Sequence, residues 1–346
     1  MIYDMSMKIL HAPLNTASDP KGLVAGLRSL GHDADLATTS VSHLVDDGNI
    51  DLSFSSDNSL VRQMKKWNFC RTRLLDYDVV HFHTGHSILD YGNGSFALMD
   101  AKKLLKQNVP LFVTFHGCDV RDLQLGGCPN PCADRFCQLG NKKMRLDFFQ
   151  RFSHNLFVST PDLLSAIPEA TVLPQSVIGI EDFEWAPPNT EGTLTIVHAP
   201  SRRAVKGSDE IIAAVNQLIS EGNDLRLDLV ENVSHKEALE AIKRADIVVD
   251  QLHCGWYGVV SVEAAAFGKP VVVRIDEEYV KMSQMSMPPF VNATKETLYD
   301  KLKFALSNRS NLPAMGKQGR DFVMMRHSPL TNAKRLLVNY QEALDV

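Results

Sequence analysis

The stretch that decides the fold is ADIVVDQLHCGWYGVVSVEAAAFGKPVVV (residues 245–273), read together with IVHAPSRRAVKGSDEIIAAV (residues 196–215). The earlier stretch is a short apolar run, then a loop carrying Arg202, Arg203 and Lys206-Gly207, then a helical pattern. In a strand-loop-helix unit the open amides and positive dipole end of the helix favour an anion, and these cations add formal charge there. The unit reads as a phosphate site, with a solvated basic loop as the plain alternative. The later stretch has a glycine turn at Gly255 and Gly258, then Glu263 opening a small-residue helix through Ala266, then Gly268-Lys269-Pro270 leading into a valine strand. Open amides at Gly258 and Val259 suit phosphate, and Glu263 suits the ribose hydroxyls beside it.

Working outward, both halves alternate strands and helices. The second half reads as strands at 194–200, 225–231, 246–252 and 270–276, with helices at 207–220, 235–245, 259–267, 294–308 and a helical tail from about 311. The first half opens with a strand at 7–13, a helix closed by Gly31, and a second strand, the start of a doubly wound sheet. DVVHFHTG (78–85) and VPLFVTFHGCD (109–119) read as buried parallel strands with a helix at 96–108 between them, and NLFVST (155–160) and TVLPQSV (171–177) continue the sheet. Functional side chains in such sheets gather at the C-terminal strand ends, which places His83, Thr84, His116, Gly117 and Asp119 on one rim. GIEDFEWAPPNTEG (179–192) mixes acids, tandem proline and glycine without a period and reads as a linker. The expected organisation is therefore one domain over 1–178, a second over 179–328 and a terminal helix over 329–346.

A chain of 346 residues suits two cores rather than one. Its 44% hydrophobic and 22% charged content is that of a globular enzyme, and a net charge of -5 supplies no global field for nucleic acid, so any polyanion contact must be local. No apolar run reaches the roughly 20 residues a spanning helix needs, and MIYDMSMKIL lacks a secretory pattern, so the expected location is the cytoplasm. Cys118, Cys128, Cys132 and Cys137 fall within twenty residues; four thiolates, with His116 as a spare ligand, could hold a structural zinc, and reduced loop thiols are the alternative.

Lys206-Gly207, Ala245-Asp246, Gly258, Glu263-Ala264 and Gly268-Lys269-Pro270-Val271-Val272, in this order, resemble the donor half of family 4 glycosyltransferases with the GT-B fold. The resemblance implies two Rossmann-like doubly wound α/β domains facing a cleft, the last helix returning to the first domain, and a UDP- or GDP-sugar donor. It also implies retention of anomeric configuration, with the leaving diphosphate as base, and no catalytic divalent ion or other cofactor. Donor-site positions carried over are Ser201, Lys206, Gly207, Tyr257, Gly258, Val259 and Glu263, with Lys206 and either Arg202 or Arg203 on the diphosphate. His116 in TFHGCD corresponds to the histidine that contacts the transferring sugar; His83, Thr84 and Asp119 fall on the acceptor side. Two positions depart from the pattern. Gly255 stands where the first of two glutamates is usual, and Ser201 where the arginine is.

His81 and His83 share a strand face by alternation, which with His86 makes a metal conceivable beside substrate-side or packing roles. VRQMKKWNFCRTRLL (61–75) carries five basic residues and no acid. On a helix it suits an anionic membrane face or a polyanionic acceptor, or simply a solvated surface. The expected acceptor is a glycan or lipid-linked hydroxyl, with peripheral contact at the inner membrane face. A hydroxylated nucleic-acid base is one rival, and sugar-nucleotide binding without turnover, suggested by Gly255, is another.

Overall fold

The computed structural model describes residues 6–39, 49–53, 59–90, 97–121 and 141–345. The chain forms two units: one holds the described residues up to Ile178 and those from Pro329 onward, the other runs from Gly179 to Ser328. Both are α/β units with parallel sheets, the GT-B type of fold.

In the first unit the strands are β1 (Lys8–Ala12), β2 (Asp33–Thr38), β3 (Ile50–Asp51), β4 (Val79–His83), β5 (Leu111–Phe115), β6 (Asn155–Val158) and β7 (Thr171–Val172). Their order is β3-β2-β1-β4-β5-β6-β7, every pair parallel. Such a sheet is covered on both faces, and the strands accordingly read as apolar runs, β4 and β5 being buried at every position. One face packs on the helix Asp19–Ser29 and on the terminal helix Pro329–Leu344 through Leu23, Leu27, Phe112, Leu336 and Tyr340. A Cβ at Gly26 would collide with the Pro329 carbonyl, so the absence of a side chain there lets the two helices meet.

The second unit contains β8 (Leu194–His198), β9 (Leu225–Leu229), β10 (Ile247–Val249), β11 (Val271–Val273) and β12 (Val291–Asn292), in the order β12-β11-β10-β8-β9 and again all parallel. Leu194, Ile196, Ile211, Val215, Ile247, Val249 and Leu302 form its core. The helix His235–Arg244 opens with a capping box between Ser234 and Glu237, which satisfies backbone donors at that end.

Some sequence expectations change in detail. The strand expected over 246–252 shortens to Ile247–Val249, because Asp250 turns its carboxylate into a polar cluster. The tail from about 311 divides into Leu312–His327 and Pro329–Leu344, broken where Pro329 forces its predecessor Ser328 out of the helical region, at the start of the terminal helix expected over 329–346. Glu263 does not open its helix: that helix runs Val259–Ala266 with no acid in its first turn, so the dipole does not favour the carboxylate.

Candidate functional site

In the second unit Lys206 ends one helical turn, Arg203–Lys206, and Gly207 follows at φ 74° before the helix Ser208–Ser220. Only glycine takes that φ without strain, and a side chain there would also press on Leu252 and His253. The loop thus delivers the Lys206 ammonium to a fixed point. Its Nζ lies 2.9 Å from Asp250 Oδ1 and 2.6 Å from Gln251 Oε1. Asp250 Oδ2 accepts from the Gly258 amide at 2.8 Å and from Ser261 Oγ at 2.7 Å. Burial alone would raise the Asp250 pKa, but Lys206 and the donors around it hold it below the usual carboxylate range. The Gly258 amide assigned to phosphate from the sequence therefore already donates to Asp250.

Glu263 is buried and accepts from His235 Nε2 at 2.6 Å. That hydrogen bond raises the pKa of the half-exposed His235 against the opposing effect of desolvation. Val259 starts the Glu263 helix, and Ser201 is exposed on the loop before it reaches Lys206. The two arginines separate: Arg203 makes a paired contact with Glu231 at 2.8 and 2.6 Å, while Arg202 is exposed at the start of the turn. Tyr257 is buried, its hydroxyl 3.0 Å from His327 Nε2 and its ring edge-on to Phe290 and Phe322, so it packs rather than offering a face to a sugar.

Gly255 has a local explanation. A Cβ there would collide with the Asp276 carboxylate and the Tyr279 ring. Asp276 is held by Arg274 at 2.8 and 3.0 Å, and its own amide donates to the Gly255 carbonyl at 2.9 Å. An acid from a different loop thus occupies the space beside this turn.

In the first unit, β4 and β5 carry the expected rim residues. Asp119 accepts from the amides of His116 at 2.8 Å and Gly117 at 2.5 Å, which fixes the loop after β5. Thr84, at φ 61°, donates to the His83 carbonyl at 2.5 Å. His83 Nδ1 meets His116 Nε2 at 3.1 Å, and its other nitrogen meets His11 Nδ1 at 2.9 Å. The remaining nitrogen of His116 faces Asp19 Oδ2 at 3.9 Å; both atoms are buried without a hydrogen-bond partner. One oxygen atom at an ordinary distance of about 2.8 Å from each would satisfy both. Asp19 Oδ1 accepts from the Ser176 amide at 2.5 Å. Burial raises the Asp19 pKa to about 7 and lowers that of His116 to about 4.

Among the described residues, Asp19, His83 and His116 are the group whose ligand atoms lie close enough for a metal. His81 instead contacts Tyr340 and Thr114, and His86 pairs with Asp90 at 2.5 Å, so the H-x-H-x(2)-H pattern is not one cluster. Of the four clustered cysteines only Cys118 is described, and Cys128, Cys132 and Cys137 lie outside the described residues. The basic segment forms the helix Ser59–Thr72, burying Phe69 and Cys70 and exposing Leu60, Met64 and Trp67 at 76%, 71% and 44% beside Lys65 and Arg71.

Sequence reading missed Asp19, His11, Tyr340, Asp250, His235 and Asp276. Each acts through a tertiary contact. The best available signal was a histidine in each of two adjacent buried strands, since His11 and His81 stand opposite in register.

No protein-family model matches the chain, and no curated protein matches it in sequence. Solved structures match in fold. A sucrose-phosphate synthase from Thermosynechococcus elongatus is 13% identical with TM-score 0.63, over 98% of this chain and 99% of that one. Anabaena HepE in complex with UDP and glucose is 12% identical with TM-score 0.58, over 97% and 99%. An alpha-glucosyltransferase in complex with UDP and a 13-mer DNA is 11% identical with TM-score 0.64, over 97% and 100%.

Proposed function

We propose that the chain is a retaining glycosyltransferase that moves a sugar from UDP or GDP to a hydroxyl acceptor, in polysaccharide or glycolipid assembly. The observation that carries this reading is that Lys206 and the Gly258 amide meet on the Asp250 carboxylate, with Glu263 buried on the helix that follows Gly258, in the order the family 4 resemblance requires. Fold likeness to proteins solved with UDP, or with UDP and glucose, supports the nucleotide-sugar class.

In this reading the second unit binds the donor. Lys206, with either Arg202 or Arg203, opposes the charge that develops on the leaving diphosphate. Glu263 takes the ribose hydroxyls, displacing His235. In the first unit His116 contacts the transferring sugar, with His83, Thr84 and Asp119 around it. The leaving diphosphate receives the acceptor proton, and no catalytic metal is required.

The test is a thermal-shift screen of nucleotide-sugars, since a ligand of the native site raises stability by mass action. Stabilisation by one UDP- or GDP-sugar, followed by release of its nucleotide, is the expected result. Stabilisation without release would favour a binding protein. No response to any nucleotide-sugar would sink the assignment.

The acceptor has two readings. A lipid-linked or glycan acceptor at an anionic membrane face fits the exposed Leu60, Met64 and Trp67 beside basic residues. A nucleic-acid acceptor draws on the same basic helix and on the fold likeness to an alpha-glucosyltransferase solved with DNA.

A further inference from the structure

The first unit buries a line of hydrogen bonds that begins at Thr114 and ends at His116. Thr114 Oγ1 meets His81 Nε2 at 2.7 Å, and His81 Nδ1 meets Tyr340 Oη at 2.5 Å. Tyr340 Oη meets His11 Nε2 at 3.4 Å, His11 Nδ1 meets His83 Nε2 at 2.9 Å, and His83 Nδ1 meets His116 Nε2 at 3.1 Å. The rings of His11, His81 and His83 also stack, with centroids 4.8 to 5.2 Å apart. Burial lowers the pKa of all four histidines, so the rings are neutral.

A neutral imidazole has one N–H and one lone pair, so the line either runs through Tyr340 in one of two directions or converges on its oxygen from both sides, which leaves the Tyr340 hydroxyl hydrogen without an acceptor in the line. With every proton on Nε2, His81 would donate to Thr114, whose own hydroxyl hydrogen would then find no acceptor among the described residues. In that direction the His116 Nδ1 lone pair would also face an Asp19 oxygen. With every proton on Nδ1, Thr114 donates to His81, His81 to Tyr340, Tyr340 to His11, His11 to His83 and His83 to His116. Each donor from Thr114 to His83 then meets an acceptor, and the last N–H, on His116, faces the carboxylate oxygen Asp19 Oδ2 at 3.9 Å, beyond direct hydrogen-bond reach.

We propose that these residues form one directed chain in which His11, His81, His83 and His116 all carry their proton on Nδ1. His116 therefore presents a hydrogen-bond donor, not a base, toward Asp19. Thr114, His81, Tyr340, His11 and His83 are positioning residues that set this tautomer from inside the sheet. Resting on the glycosyltransferase reading above, the consequence is that His116 donates to an oxygen of the bound sugar and takes no proton from the acceptor.

Nitrogen-15 spectra of histidine-labelled protein at pH 8, above the Asp19 value near 7, test the chain directly. The expected result is four Nδ1–H tautomers for these rings; an Nε2–H tautomer at any of them overturns the proposal. Tyr340→Phe keeps the ring and removes the central hydroxyl. It should displace the ring-nitrogen signals of His83 and His116, which Tyr340 does not touch, and lower kcat roughly tenfold at unchanged KM, as loss of an outer hydrogen-bond partner does. Unmoved His116 signals in the folded variant overturn the coupling, and Thr114→Val supplies the same test from the far end. Added Zn²⁺ should leave all four signals in place, whereas metal-dependent shifts at His83 and His116 would replace the chain with a metal site. If the wild-type protein turns over no nucleotide-sugar, the glycosyltransferase reading fails while the spectra still decide the chain.

Discussion

Lys206 Nζ and Asp250 Oδ1 lie 2.9 Å apart, and the same carboxylate holds the Gly258 amide and the Ser261 hydroxyl. One buried acid thus joins three segments of the proposed donor site, so Lys206 has a structural role beside the chemical one proposed for it. Lys206→Ala should lower turnover by roughly two to three orders of magnitude, the scale of losing one transition-state charge donor. It should also lower the melting temperature, because Asp250 is left buried without its cation. Lys206→Met combined with Asp250→Asn should recover part of the stability and none of the turnover. Full turnover in folded Lys206→Ala protein would remove the diphosphate assignment.

Gly255 yields a prediction of the opposite kind. Restoring the glutamate that the family resemblance places there should not improve activity, since any side chain meets Asp276 and Tyr279. Gly255→Glu should destabilise by about 1–3 kcal/mol, the usual cost of overpacking, with added repulsion from the Asp276 carboxylate. Denaturant unfolding measures it. A Gly255→Glu protein as stable as wild type would show that the loop carrying Asp276 gives way easily.

The alternating pattern of apolar runs and helical segments was enough to read the parallel α/β architecture, because each core strand carries a local signature such as Ile247-Val248-Val249 or Leu111–Phe115. Short edge strands such as Ile50–Asp51 and Val291–Asn292 carry no period and were invisible. At the site, glycine and lysine signals around Lys206 and Gly258 lie close together in sequence and were legible. The partners of those residues were not. Asp250 looked like a strand position, and His235 and Asp276 belong to other segments, so their proximity exists only after folding. Tyr340 lies 259 residues from its hydrogen-bond partner His81, beyond the reach of any local pattern.

The pair His235 and Glu263 should make nucleotide binding depend on pH. The folded pKa of His235 is raised above 6.5 by Glu263. The pair therefore stabilises the protein fully below the unfolded value and loses that contribution as pH rises through the raised folded value. In the proposed donor site the ribose hydroxyls displace His235 from Glu263, so nucleoside diphosphate affinity should increase over the same rise. His235→Ala should bind more tightly at low pH and lose this component of the pH dependence, which calorimetry on both proteins resolves. Parallel curves for the two would detach Glu263 from the ribose.

Metal content separates the two cysteine readings. A structural zinc on Cys128, Cys132 and Cys137 with Cys118 or His116 would give close to one equivalent by elemental analysis and a melting temperature lowered by chelation. Metal-free protein with unchanged melting supports reduced thiols. In either case turnover should not require added Mg²⁺.

The helix Ser59–Thr72 decides between acceptor classes. Its exposed Leu60, Met64 and Trp67 lie at spacings of four and three residues, so they share one face, with exposed Lys65 and Arg71 on the same helix. An apolar stripe beside cations fits a lipid interface better than a phosphate backbone, which needs charge without the stripe. Charge reversal at Lys65, Lys66 and Arg71 should therefore weaken sedimentation with anionic vesicles while leaving donor hydrolysis unchanged, and wild-type vesicle binding should fall with salt. Replacing Leu60 and Met64 by serine should weaken vesicle binding as well, whereas binding to DNA would respond to the charge reversals alone. Retention on DNA with no vesicle binding would transfer the acceptor assignment to nucleic acid. Binding to neither, with transfer to a soluble acceptor unaffected by the reversals, would leave the helix as a solvated face of the first unit.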